Sequence, residues 1–271
     1  MGVFKYFLIA ITIFVNKSAS EQPDIYFDDV SFMVGIFEIN PMRPNQVSFV
    51  GQGVLVDSDK VITTSRIVYE DSKYRVRAYK WPKNNDIRKD KEIPISDYTE
   101  HDVIGVQTQP EVPLLVTLNL DHGFGRSVAP IDYMKYTENT MFTNDTECVY
   151  VKIKNTFFGQ KLKIKQRKIT MNHPLGSTDC SSTIQNFADR LSFSKSNSNS
   201  FFCGVETGKK KCNRYPGSAF VCQSSSSSKP LLTGIQVINR NCEIMFENPK
   251  FFKYNPNRRS HVAYNEQLMD N

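Results

Sequence analysis

Six cysteines in the second half of the chain constrain its fold more than any other feature. An even number of cysteines in an exported chain predicts three disulfides, although spacing alone does not decide which cysteines pair. The histidines are scattered, and no Cys/His spacing is typical of a zinc site. The sequence therefore predicts neither a bound metal nor a cofactor. The cysteines are Cys148, Cys180, Cys203, Cys212, Cys222 and Cys242.

The first twenty residues predict export. Lys5 supplies a positive start, residues 6–15 form an apolar run, and residues 18–20 are small, an order typical of a secretory signal peptide. The run is shorter than the ~20 apolar residues that a transmembrane helix needs. We therefore expect a secreted, extracellular chain of residues 21–271 without a membrane span. Asn144 stands in a sequon within a polar stretch, which predicts glycosylation.

Short runs of β-forming residues, separated by clusters of Gly, Pro, Asn and Asp, dominate the mature chain. This spacing is typical of an all-β barrel or sandwich. A helical period is confined to residues 188–193 and to the tail at 264–269. The net charge of +6 suits acidic partners but does not by itself indicate nucleic acid. The clearest runs are Ser31–Ile39, Val47–Val56, Lys60–Thr64, Tyr74–Tyr79, Val103–Thr108 and Leu231–Ile238.

A basic stretch without acidic residues spans 149–172. Its bases alternate with Leu162 and Ile164, so a strand would place the bases on one face and the apolar pair on the other. This basic surface is either a solvated strand face or a binding stripe for a sulfated glycan, an acidic protein or an anionic surface. Its members are Lys152, Lys154, Lys161, Lys163, Lys165, Arg167 and Lys168.

The segment from Cys212 to Cys222 carries the most informative motif. It reads C-N-R-Y-P-G-S-A-F-V-C and resembles C-Q-G-D-S-G-G-P-L-V-C, the nucleophile segment of trypsin-like serine proteases. Other segments of the chain also match the family, and they occur along the chain in the family's order. Residues 51–56 resemble C-G-G-S-L-I, residues 61–68 resemble V-L-T-A-A-H-C-V, residues 101–106 resemble N-D-I-A-L-L, residues 128–131 resemble V-Q-P-I, and residues 234–235 resemble the start of G-I-V-S-W-G.

The resemblance implies an all-β fold of two Greek-key barrels, about 30–130 and 131–264, with a short C-terminal helix. It also implies three disulfide pairs that use every cysteine once. These pairs are Cys148–Cys222, Cys180–Cys203 and Cys212–Cys242.

The same resemblance places two of the family's three catalytic-triad positions on residues that cannot perform their chemistry, and only the acid position is kept. The nucleophile position is Pro216, which has no hydroxyl, and the general-base position is Arg66, whose guanidinium stays protonated. The acid position is Asp102, and we expect it to form an ion pair with Arg66. Pro216 also lacks the backbone N–H that the family uses in its oxyanion hole.

The family's activation and specificity features are altered as well. The acid that normally precedes the nucleophile is Tyr215, and a remnant primary pocket would carry Lys210, Ile238 and Asn239. For members without catalytic residues, the resemblance implies protein binding as a cofactor, decoy or regulator in an extracellular protease cascade of immune or reproductive fluid. Proteases or their inhibitors are the expected partners.

Two alternative functions remain open at the level of sequence. One is a basic protein that binds glycans or anionic surfaces through the stretch described above. The other is a serine endopeptidase with relocated catalytic residues, for which Ser65, Ser218 and His101 are the candidates. A relocated serine would still need a base within hydrogen-bonding distance and a working oxyanion hole.

Overall fold

The computed structural model describes most of the chain between residues 27 and 247. The predicted signal peptide, Asn144, Cys180, Lys210, Cys212, Cys242 and the expected C-terminal helix lie outside this part. The described residues are 27, 29–69, 71–81, 92–94, 97–108, 114–133, 146–155, 161–171, 201–206, 215–224, 229–240 and 243–247.

The described part is built from β-strands and contains no α-helix; a single 3-10 turn lies at Ser65–Ile67. The first strands are β1 (Met33–Ile39), β2 (Val47–Asp57), β3 (Lys60–Thr64), β4 (Tyr74–Tyr79), β5 (Glu92–Pro94), β6 (Tyr98–Thr108) and β7 (Leu115–Leu120). The later strands are β8 (Thr146–Asn155), β9 (Lys161–Met171), β10 (Phe201–Glu206), β11 (Ala219–Ser224), β12 (Leu231–Arg240) and β13 (Glu243–Glu247). Within these residues, no helix is long and apolar enough to cross a membrane.

Six strands from the first half close into a barrel in the order β1-β2-β3-β7-β6-β4. Successive side chains of a strand point to opposite faces, and β1 uses both faces for burial. Val34 and Ile36 pack inside the barrel with Leu55 and Leu118, whereas Met33 on the opposite face joins a second cluster. This double burial explains why β1 is almost continuously apolar.

The second sheet has the order β10-β13-β12-β11-β8-β9-β5, and β10 also pairs with β9, so six of its strands form a closed ring. An aromatic cluster that includes Tyr150, Phe220 and Phe246 packs on one of its faces. Cys148 and Cys222 lie directly opposite each other on β8 and β11 and form a disulfide, as the family pairing predicts. Cys203 is also disulfide-bonded, but the other predicted pairs involve cysteines outside the described residues.

The two sheets share a large apolar cluster, which contains Met33 and Ile62 from the first sheet together with Val151 and Ile235 from the second. The short strand β5 pairs with β9 although it belongs to the first half of the chain. The predicted all-β fold of two barrels is confirmed. The sheets meet beside β2 and β3, which is where the candidate site lies.

Candidate active-site region

Gly51 on β2 marks the place where the segments of the predicted active site meet. A methyl group added there would lie 2.5 Å from the Ile67 Cδ1 atom and 3.4 Å from the Pro216 carbonyl oxygen. The turn that carries Arg66 and the turn that carries Pro216 therefore adjoin the same glycine. Residues more than a hundred positions apart in the sequence meet here, as the family resemblance predicts.

The turn at 215–218 is held tightly against β2 and β12. Gly217 has a φ of +82°, a left-handed conformation that favours glycine, and its N–H donates to the Gln236 carbonyl at 3.0 Å. Ser218 is fully buried, and its hydroxyl donates to the Tyr215 carbonyl at 2.6 Å. The hydroxyl of Ser218 is thus committed to closing the turn.

Pro216 itself carries neither of the two groups that a serine at the nucleophile position would supply for acyl transfer. It has no hydroxyl and no backbone N–H, and the N–H of the following Gly217 is bonded to Gln236. In the serine-protease template, the nucleophile's own N–H stabilises the negative oxygen of the tetrahedral intermediate. That donor does not exist at position 216.

Arg66 lies in the 3-10 turn that follows β3. Thr64 caps this turn, because its side-chain oxygen accepts a hydrogen bond from the Arg66 N–H at 3.3 Å. The Arg66 residue is exposed. Its guanidinium has no acceptor atom and stays protonated in proteins, so it cannot take a proton from a nucleophile.

The structure corrects the expectation of an Arg66–Asp102 ion pair. Asp102 lies opposite Arg75 in the β4–β6 ladder, and its carboxylate accepts a hydrogen bond of 2.7 Å from the Arg75 Nε atom. The prediction is wrong because β6 begins at Tyr98 and pairs with β4, while β7 separates it from β3. The Asp102 side chain is 52 % exposed.

A different residue stands beside the Arg66 turn. The Ser65 N–H donates to the Leu114 carbonyl at 2.8 Å. Leu114 is apolar and only 4 % exposed. The Leu114 N–H in turn donates to the carboxylate of the fully buried Glu247 at 3.1 Å. The apolar run at 114–120 predicts the strand that begins here, β7. The resemblance at 101–106 instead assigns the acid position to β6.

The structure also corrects one member of the predicted basic surface. Lys152 is fully buried, and its ammonium lies 4.8 Å from the Tyr150 ring centroid and 4.7 Å from that of Tyr215. Aromatic faces attract cations, most strongly where water is excluded. Lys152 is therefore part of the interior beside the 215–218 turn, next to Tyr215.

The remaining bases follow the predicted alternation on β9. Leu162 and Ile164 are buried, whereas Lys163, Lys165 and Arg167 are half-exposed. Lys154 on β8 lies directly opposite Lys163 and is also half-exposed. The side chains of Lys161 and Lys168 lie outside the described part, as do those of Ile238 and Asn239 on β12.

Gln52 is a site residue that sequence reasoning missed. It is 1 % exposed; its side-chain amide donates to the Tyr215 carbonyl at 3.4 Å and its side-chain oxygen accepts from the Ile153 N–H. It thus joins β2, β8 and the 215–218 turn. A lone glutamine within a strand carries no local signal for such a role, because each of its partners is distant in sequence.

The family model named Trypsin matches residues 37–255. The chain belongs to the trypsin family. A search of curated proteins finds no match. That Pro216 and Arg66 stand at the family's nucleophile and general-base positions stays a prediction from the resemblance. The turns that carry them both adjoin Gly51.

Proposed function

We propose that this trypsin-family protein is secreted and non-catalytic, and that it acts by binding other proteins. Its partners are extracellular proteases or their inhibitors, toward which it serves as a cofactor, decoy or regulator. The observation that carries the proposal is Pro216 at the position that the resemblance assigns to the nucleophile. The N–H and the hydroxyl that follow it in the turn are already used in hydrogen bonds. The Gly217 N–H bonds the Gln236 carbonyl, and the Ser218 hydroxyl bonds the Tyr215 carbonyl.

The chemistry of the neighbouring residues supports loss of catalysis by a second route. A serine nucleophile needs a base that can accept its proton, and the residue at the base position is Arg66. Among the described residues, the one that accepts the Ser65 N–H beside this turn is the apolar Leu114, and not Asp102. A serine restored at position 216 alone would therefore still lack a base at position 66.

The candidates for a relocated catalytic site do not assemble around Pro216. Ser218 is fully buried and donates its hydroxyl within the turn. His101 lies on β6 and contacts Asp121, which follows the end of β7 opposite to Leu114. The six residues of β7 extend about 20 Å. The His101 imidazole at one end is therefore far from Ser65, which bonds Leu114 at the other end, and from Ser218.

The retained framework supports binding as the remaining use of the fold. Both sheets are present and share one buried apolar cluster. The Cys148–Cys222 disulfide joins two central strands of the second sheet. The excess of basic residues gives a net charge of +6, which favours encounter with acidic protein surfaces.

The decisive experiment uses the full mature chain, secreted from eukaryotic cells and purified without other proteases. We expect no labelling by a serine-directed fluorophosphonate probe and no hydrolysis of a mixed peptide library, with active trypsin as the positive control. The variant Pro216→Ser should also stay unlabelled, because the new hydroxyl would face Arg66, whose guanidinium cannot accept its proton. Turnover by the wild-type chain would contradict the proposal, and its loss in Ser218→Ala or Ser65→Ala would assign it to a relocated serine.

A further inference from the structure

A cluster of two histidines and one aspartate lies at the end of the first barrel that is farther from Pro216. His101 is on β6, while Asp121 and His122 follow β7. One ligand atom from each of the three residues lies within 4.8 Å of the others. The cluster has no local signal in the sequence, since His101 lies on β6 and His122 follows β7.

The distances within the cluster are close to those of a metal coordination shell. The Asp121 Oδ1 atom lies 3.4 Å from the His101 Nδ1 atom, and the Oδ2 atom lies 3.2 Å from the His122 Nδ1 atom. Zinc bonds nitrogen and oxygen at about 2.0–2.2 Å, which places adjacent ligands of a tetrahedral shell about 3.3–3.5 Å apart. Because the ligand atoms already lie within 4.8 Å of one another, rotation of the side chains would bring them to this spacing.

The backbone positions two of the three groups. The Asp121 N–H donates to the Asp102 carbonyl at 3.0 Å, which fastens the turn after β7 to β6 beside His101. The His122 N–H donates to the Asp121 carboxylate at 2.8 Å. The carboxylate is thus fixed between the imidazoles before any ion arrives.

The third group is held by packing. The His101 ring meets Phe124 edge-on, with 4.6 Å between centroids, and Phe124 belongs to the buried cluster of the first barrel. The His101 side chain is only 17 % exposed, whereas that of His122 is 78 % exposed. One side of the cluster is therefore rigid and the other is open to solvent.

We propose that His101, Asp121 and His122 form a surface binding site for a divalent transition-metal ion, with Zn²⁺ as the preferred occupant. Two imidazoles and one carboxylate are ligands that suit zinc, and three protein ligands leave a fourth position for water or for a group from a partner. The site is independent of the Pro216 region, so its failure would leave the proposed function unaffected.

The test is calorimetric titration of ZnCl₂ into the chelator-stripped mature protein, produced without a histidine tag. We expect binding of one ion that is weakened at least about tenfold in His122→Ala, since changes in groups that merely support ligands already weaken metal affinity by about 10- to 100-fold. His122 is mostly exposed, so this variant should fold normally, and a far-ultraviolet circular dichroism spectrum checks that it does.

Two further variants separate this site from any other. His101→Gln should weaken binding as His122→Ala does, whereas Asp71→Asn removes an exposed carboxylate outside the cluster and should bind zinc like the wild type. Absence of zinc binding by the wild-type protein, or equal affinity in His122→Ala, would overturn the proposal and leave a hydrogen-bonded His–Asp–His cluster in its place.

Discussion

Replacing Gly217 with alanine tests whether the turn at the nucleophile position is locked in the way the structure indicates. The new Cβ atom would lie 1.7 Å from the Gln52 carbonyl oxygen and 2.7 Å from the Thr63 hydroxyl oxygen. Atoms cannot approach so closely, and the first contact is with backbone, so the turn itself must move. The variant is therefore expected to lose stability.

Two costs set the magnitude. A left-handed backbone, with φ of +82° at Gly217, disfavours alanine by about 1–2 kcal/mol. Overpacking in a buried region adds about 1–3 kcal/mol. Alanine also restricts the unfolded chain, which returns about 0.4–1 kcal/mol. The expected net loss is about 1–4.5 kcal/mol, a sizeable share of the ~5–15 kcal/mol that stabilises a typical domain.

Equilibrium unfolding in urea measures this loss directly, and heating should show a fall in melting temperature of about 2–18 °C. Gly125→Ala is the matched control, because a methyl group there meets nothing within 4 Å, and it should change the unfolding free energy by less than about 0.5 kcal/mol. If the two variants were equally stable, the reasoning about the turn would be refuted.

Two further predictions concern stability. Gln52→Leu leaves a buried β8 amide and the Tyr215 carbonyl without their side-chain partner, so urea unfolding should show a loss of about 1–3 kcal/mol, whereas Gln46→Leu in an exposed loop should be near neutral; equal effects would contradict this role. The pKa of Asp57 is lowered, chiefly by its side-chain hydrogen bond to Lys60. A lowered folded-state pKa contributes stability above the unfolded value of ~3.9 that is lost as pH falls through the folded value, so Asp57→Asn should flatten this acid loss in unfolding curves, and an unchanged pH profile would argue against it.

The strands were largely predictable from the sequence because their signal is local. The runs at 47–56, 60–64 and 74–79 match β2, β3 and β4 to within one residue, since alternating or continuous apolar residues reflect burial of one or both strand faces. The start of β6 was predicted five residues late, because Tyr98 and the polar residues after it interrupt the apolar pattern. Their pairing with β4 depends on the barrel and not on their own composition.

The candidate site was predictable where chemistry depends on residue identity alone. An imino acid at position 216 has no hydroxyl and no N–H, and an arginine at position 66 cannot act as a base, whatever surrounds them. The resemblance also predicted that these positions meet, and the contacts at Gly51 bring their turns together.

The partners of charged side chains could not be predicted in the same way. Asp102 pairs with Arg75 because the register of β4 and β6 places them opposite each other. Lys152 alternates with apolar residues like an exposed base, yet two tyrosine rings cover its ammonium. Strand alternation states which side chains share a face, but it does not state what covers that face.

The sequence by itself determined the strands, the kind of framework and the groups that positions 66 and 216 can offer, because periodicity and covalent chemistry are local properties. The tertiary structure alone decided which strands are neighbours and in what register. This strand pairing buries Lys152, places Leu114 instead of Asp102 beside the Arg66 turn, and brings His101 close to His122. It depends on packing between residues that are far apart in the chain, for which no short stretch of sequence carries a signal.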